Sequence, residues 1–466
     1  ALDGGDSNRE AEKRDKLVKW KYPFDKDPVD VLKTKYRFGG IEWGNGEVAL
    51  LKEYWWRTKM ERVVKFSPDD IDSETKVLFH RSYEDRYSDP GDFMKKRSKS
   101  GKELLLFSKD KDHLYLKGRG SSPEGARPFI DKYNIESGET KRLFRSSKEN
   151  YENPFRILPP EGKIFLRSES PKRYPNYFVF DLKEEEREMI TDFKNPYGTI
   201  NIEKKFIKYK REDGLELTGK LYLPGDYDPK KDGTLPILVW AYPREFLSRS
   251  SASQVRGSQN TFTWMGWWSP ALYVTLGYGV LDDASMPIIS INSKQPNDNF
   301  RKQLLQNGRA AVKKLVEMGV SDGKKVAVGG HSYGAFMVGN FLAHSDIFCA
   351  GIARNGAYNR TLTPFGFQSE ERTLWQSRDT YIEMSPFMYA DKINEPLLLI
   401  HGLDDTNSGT YPMQSERFFD AIKGNGGNCR LVLLPYEGHS YKARESVEHM
   451  LFVTVNFLEK YVKNGK

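Results

Sequence analysis

Two hydrophobic periods divide the chain. From about Phe38 to Phe193 the apolar residues come in short β-like runs such as EVALLKEYWW, KELLLFSKD and KIFLRSES, each broken by Gly, Asp, Asn or Pro. That pattern predicts an all-β region with frequent turns. Within it, DKYNIESGETKRLF and YFVFDLKEEEREMI follow one plan: an aromatic-rich strand, an acidic or glycine turn and a second strand. KMERVVKF resembles their closing strand. Repeated meanders of this kind point to propeller blades ahead of a β-sandwich. At roughly 40 to 50 residues per blade the region holds three or four, at or below the about four that close a ring. An N-terminal part of the propeller is therefore expected to lie outside this sequence.

Past the hairpin-like stretch PYGTINIEKKFIKYKREDGLELTGKLYLP the period changes. LPILVWAY and YGVLDDAS read as buried strands, and NFRKQLLQNGRAAVKKLVEMG sets Leu304, Leu305, Ala311, Val312, Leu315 and Val316 at helical spacing. Strands then alternate with helices through CAGIARNGAY, PLLLIHG, MQSERFFDAIKG and CRLVLLP to a last helix with Val447, Leu451, Val455 and Leu458 on one face. Alternation of this type predicts a doubly wound, mostly parallel sheet covered on both sides. The expected division is residues 1–200, blades of an incomplete β-propeller, and 201–466, an α/β domain.

The segment KKVAVGGHSYGAFM carries the chemistry. A Gly-x-Ser-x-Gly match occurs by chance in a chain this long about 0.1 to 0.2 times, so its setting decides its meaning. Here Gly330-His331-Ser332-Tyr333-Gly334 falls where a strand gives way to a helix, the setting of the nucleophile elbow of α/β-hydrolases. A hydroxyl becomes nucleophilic when a base takes its proton. In this fold the partners follow in the order Ser, acid, His. Of the four downstream histidines, His344 and His449 fall in helices and His401 ends a strand. His439 sits in LPYEGHSYKARES, a loop between the last strand and the last helix, and is the candidate base. The acid belongs in the loop of LLLIHGLDDTNSGT, where Asp404 and Asp405 stand side by side and pattern alone does not separate them. Two oxyanion donors are expected: the backbone N–H of Tyr333, and the hydroxyl of Tyr242 in ILVWAYPREF.

Composition narrows the alternatives. With 38% hydrophobic and 30% charged residues the 466-residue chain has room for two domains or more, and no run approaches the roughly 18 apolar residues of a membrane helix. The net charge of +8 is a thin excess of 73 basic over 65 acidic residues, and the one basic run, KKRSKSGK, reads as a solvated turn, so nucleic acid is not an expected partner. Cys349 and Cys429 lie far apart without metal-ligand spacing, which argues against a disulfide framework. Neither a metal nor an organic cofactor is called for.

A β-rich region followed by GGHSYGAFM, IHGLDD and EGHSY resembles the prolyl oligopeptidase superfamily of serine peptidases. GIARNGAYNRTLTPFGFQSEERTLW, EMSPFMYADKI, VWAYPREF and SYEDRYSDPGDFM are similar to its glutamyl endopeptidase branch, known from plastids and bacteria. The resemblance implies Ser332 as nucleophile, Asp405 as acid, His439 as base and Tyr242 at the oxyanion. It further implies peptide substrates cleaved after glutamate. A carboxylate in the pocket asks for a guanidinium fork, for which Arg360 is the first candidate and Arg354 the second, with Arg244 and Arg256 behind them. Arg244 after Tyr-Pro and Ser440 after the base depart from the usual small residues. The competing readings are an acylaminoacyl- or dipeptidyl-peptidase of the same superfamily, a carboxylesterase, and a non-catalytic propeller-based binding protein.

Overall fold

The computed structural model describes residues 12–158, 162–292 and 294–465. The chain forms two compact units, Ala1–Asn195 with Gln254–Phe262, and Pro196–Ser253 with Thr263–Lys466.

Three four-stranded antiparallel sheets, each with its strands side by side in chain order, make the body of the first unit. The first runs Arg37–Trp43, Ala49–Trp55, Met60–Phe66 and Lys76–Ser82; the second runs Asp92–Phe93, His113–Gly118, Phe129–Asn134 and Thr140–Arg145. The third runs Tyr151–Leu158, Lys163–Glu169, Asn176–Asp181 and Arg187–Met189. Because side chains alternate along a strand, the central sheet serves two cores at once. Leu114 and Leu116 pack with Val48, Leu50 and Phe93 toward the first sheet. Tyr115 between them packs with Ile157, Ile164 and Phe180 toward the third. Stacking of sheets through alternate residues is the blade arrangement of a propeller. The segment 254–262 joins this unit although it lies among second-unit residues in the chain. Gln254 accepts from the Arg86 N–H at 2.7 Å and donates to Asp85 at 2.6 Å, and Gly257 O accepts from the Ala126 N–H at 2.9 Å.

The second unit is built on one eight-stranded sheet. Its strands are β1 (Ile202–Lys210), β2 (Glu216–Pro224), β3 (Ile237–Phe246), β4 (Gly279–Ile289), β5 (Val326–His331), β6 (Ala350–Arg354), β7 (Leu397–Gly402) and β8 (Cys429–Leu434). Their order across the sheet is β1-β2-β4-β3-β5-β6-β7-β8, with the β1–β2 and β2–β4 pairs antiparallel and all the other pairs parallel. The long helices are α1 (Phe300–Glu317), α2 (Tyr333–His344), α3 (Met413–Gly424) and α4 (Arg444–Leu458). Strands covered on both faces must be apolar, and β5 and β7 are so ahead of the histidines near their carboxyl ends: Val326, Val328, Leu397 and Leu399 face the cluster holding Phe336 of α2 and Phe418 of α3. Ala327, Leu398 and Ile400 face the cluster holding Met450 and Val453 of α4. Each such fully buried valine, leucine or isoleucine contributes about 1.5–3 kcal/mol.

One detail of the helical reading shifts. The deepest residues of α4 are Met450, Val453 and Phe457 with Leu458, while Val447, Leu451 and Val455 pack at the margin of the same cluster. The buried stripe is thus rotated from the one read off the valine and leucine spacing, because a methionine and a phenylalanine fill the groove against the sheet.

Candidate active site

The carboxyl ends of β3, β5, β6 and β7 and the loop after β8 bring the candidate residues together. Ser332 follows the last residue of β5 and precedes the first of α2, with φ 59° and ψ −118°. A non-glycine residue there is strained, typically by about 1–3 kcal/mol, and holds only where its surroundings force it. They do: a Cβ at position 330 would lie 2.4 Å from the backbone of Gly334, and one at 334 would lie 2.6 Å from Ala241 O. The Ser332 amide is tied to Arg354 O at 2.8 Å. The turn therefore sets residue 332 between strand and helix at the carboxyl edge of the sheet, the setting of a nucleophile elbow.

Loops at the same edge of the sheet carry an imidazole and a carboxylate. His439 Nδ1 donates to Asp405 Oδ2 at 2.8 Å, from a half-buried ring to a carboxylate with no exposed surface. Asp404 is exposed and makes a different contact, its N–H donating to Glu437 O at 2.8 Å, so the structure separates the two neighbouring carboxylates. Burial alone pushes Asp405 up, but hydrogen bonds from His401, Asn355, His439 and the Asn407 N–H outweigh it and hold the group well below the usual carboxylate range. The His331 ring lies 4.7 Å from that of His439. Burial, with His439 and Arg354 beside it, pushes His331 down to about 4, so it stays neutral when the neighbouring imidazole gains a proton.

For an oxyanion, the Tyr333 N–H is the first amide of α2, one of those a helix leaves unpaired. Tyr242, midway along β3, is exposed, its ring 5.9 Å from that of Tyr333 and 3.8 Å from the Cβ position of residue 334. Gln368 Nε2 donates to the Tyr242 hydroxyl at 3.4 Å. The Tyr333 side chain is buried and donates its hydroxyl to Glu245 at 2.6 Å.

The two arginines part company. Arg360 is buried with its guanidinium over Phe336 at 4.2 Å, Phe367 at 4.5 Å and Tyr333 at 5.3 Å. Its Nε has no partner, and among the described residues no carboxylate pairs with it within 4.0 Å. Burial pushes it down to about 10, against the pull of Tyr333 and Glu245. Arg354 turns to the opposite cluster, over Trp240 at 4.9 Å and donating to the Tyr273 hydroxyl at 3.2 Å. Among the described residues no cluster of His, Cys, Asp or Glu is arranged to hold a metal ion.

Residues 297–465 match the Prolyl oligopeptidase family. At 45% identity over 480 residues, 99% of this chain aligns with 51% of "Probable glutamyl endopeptidase, chloroplastic" of Oryza sativa subsp. japonica. The Arabidopsis thaliana protein of the same description is 44% identical over 477 residues, 98% of this chain and 50% of that protein. The chain thus spans about half the length of these curated relatives. Among solved structures, Pyrococcus horikoshii acylaminoacyl peptidase superposes with a TM-score of 0.63 at 18% identity, covering 97% of this chain and 66% of that one. Porphyromonas gingivalis dipeptidyl peptidase 4 gives 0.63 at 14%, covering 95% and 71%. At such identities the likeness is one of fold: an α/β-hydrolase with an N-terminal β-propeller region.

Several members of this candidate site escape sequence reasoning. Asn355, fully buried with φ 49°, donates to Asp405 Oδ2 at 2.8 Å and to Gly438 O at 3.1 Å, and is itself held by the Tyr441 hydroxyl. Glu437 folds the base's loop, its carboxylate accepting the Lys442 and Ala443 amides at 2.8 Å each. His401 is buried beside Asp405. The available signal was a polar residue at or just past the end of an apolar strand, as in IARN and LLLIH, where such a residue has no reason to be unless something on that edge needs a partner.

Proposed function

We propose that this chain is a serine peptidase acting through an acyl-enzyme, with a preference for glutamate at the residue whose carbonyl is attacked. The observation that carries the reaction class is the 2.8 Å contact of His439 with the buried Asp405 at the edge where Ser332 occupies its strained turn. Ser332 Oγ attacks the peptide carbonyl while His439 takes its proton through Nε2; Asp405 fixes the tautomer and stabilises the imidazolium. The oxyanion that develops is met by the Tyr333 N–H and the Tyr242 hydroxyl. His439 then gives the proton to the leaving amine, and water resolves the ester by the reverse sequence.

Glutamate preference is supported by Arg360. A buried cation without a carboxylate partner is costly, and a glutamate side chain would supply the missing fork of hydrogen bonds. The resemblance to plant proteins described as glutamyl endopeptidases points the same way. The test is labelling of the full chain with a fluorophosphonate probe, then comparison of matched peptides differing only in Glu or Gln at the cleaved position. Labelling that persists in Ser332→Ala would reject the nucleophile. Equal cleavage of the two peptides would reject the preference, and faster release from N-acylated or dipeptidyl substrates would favour the other activities of the family.

A further inference from the structure

We infer that His401 is a positioning residue of this reaction, a fixed donor that ties the acid loop to helix α3 and aims Asp405 at His439. The inference rests on the reading of Ser332, His439 and Asp405 as the reacting set.

His401 is the next-to-last residue of β7, on the face toward α3, and has no exposed surface. Its Nε2 lies 2.7 Å from Thr410 O, which can only accept, so that nitrogen carries the proton. The same N–H is 3.3 Å from Asp405 Oδ2. Its Nδ1 stands 2.7 Å from the Ser415 hydroxyl of α3, a group that can serve as either partner. One ring therefore has both nitrogens satisfied by three separate pieces of chain: the helix, the far end of the loop and the acid. Thr410, held by its carbonyl, in turn places Oγ1 3.2 Å from His439 Nδ1 and 3.4 Å from Asp405 Oδ1. A histidine serving only to fill space would not need its proton between a loop carbonyl and the carboxylate that holds the base.

The charged and titratable groups around this set are His331 on β5, Arg354 on β6, Asp404 in the acid loop, and Glu437, His439 and Tyr441 in the loop after β8. Removing a donor from Asp405 leaves its charge less dispersed. The imidazolium of His439 is then better stabilised, so the acid limb of the kcat/KM profile moves up. Loss of the Thr410 anchor loosens the aim of the acid and lowers kcat.

The experiment compares wild type, His401→Leu and His401→Gln in the full chain. It measures fluorophosphonate labelling of Ser332 and kcat and KM on one Glu-containing peptide from pH 5 to 9. His401→Leu is expected to lower kcat about tenfold, leave KM within about twofold and shift the acid limb up by about half a pH unit. His401→Gln keeps a neutral donor near the Nε2 position and is expected to recover most of both. An unmoved acid limb in His401→Leu, or a His401→Gln as impaired as His401→Leu, would overturn the inference while labelling of wild type upheld the parent reading. Should His401→Leu fail to fold, His401→Gln decides alone, wild-type values supporting the role and a tenfold loss refuting it. Wild type that resists labelling brings down both.

Discussion

The amide of Asn355 donates to the same oxygen of Asp405 that receives His439, each at 2.8 Å. Asn355 follows directly on β6, so it reaches from the strand beside β7 and closes a side of the carboxylate that the acid's own loop leaves open. A hydrogen bond to a charged group contributes about 1.5–3 kcal/mol. Asn355→Ala is therefore expected to lower kcat/KM by about tenfold to a hundredfold. Asn355→Asp, which sets a like charge against Asp405, should fall further; steady-state kinetics on both variants checks the order.

Arg360 offers a separation of stability from specificity. If its cation waits for a substrate carboxylate, Arg360→Met removes an unpaired buried charge and adds an apolar side chain among Phe336, Phe367 and Tyr333. The expected outcome is an unchanged or higher Tm together with about a hundredfold loss of kcat/KM on the Glu peptide and little change on the Gln peptide. A lower Tm with unaltered preference would make Arg360 structural.

Much of this site was legible because its chemistry needs glycines and loops in set places. The turn at Ser332 demands small residues at 330 and 334, and the parallel sheet demands apolar runs before each functional loop, so both leave marks in the chain. The choice between Asp404 and Asp405 left none in the local pattern: it depends on which carboxylate the loop buries, and that is decided by Asn355, Thr410 and His401 from three other segments. The same holds for the arginines. Arg354 and Arg360 are six residues apart in one segment, yet the end of β6 sends the first to the α4 side and the turn after it sends the second among the aromatic rings near α2. Residue type predicts a fork of donors; only the packing says which way it points.

Gly402 makes the coupling of acid and base loops testable. A Cβ there would lie 2.3 Å from Glu437 O and 2.4 Å from Gly438 O, backbone that leads straight into His439. Gly402→Ala is expected to push that loop outward, weaken the His439 contact with Asp405 and slow fluorophosphonate labelling about a hundredfold or more. Gly424, where a Cβ meets nothing within 4 Å, is the control, and Gly424→Ala should label at the wild-type rate.

Acid lability of the second unit should trace to buried histidines and be opposed by one aspartate. Burial, with Arg301 beside it, pushes His344 down to about 4, and its ring packs against Tyr389 at 4.4 Å. Unfolded, the same imidazole titrates near 6.5. Between those values the unfolded chain binds the extra proton, so stability falls as pH drops from about 6.5 to 4. Asp282 does the reverse: burial, against the pull of Lys220, raises it to about 6, so the folded state binds the extra proton between about 6 and the ordinary aspartate value. Thermal unfolding at pH 7 and pH 4.5 should then give a smaller drop in Tm for His344→Gln than for wild type, by about 2–4 °C, and a larger drop for Asp282→Asn. Parallel pH dependence in all three proteins would remove both groups from the account of acid unfolding.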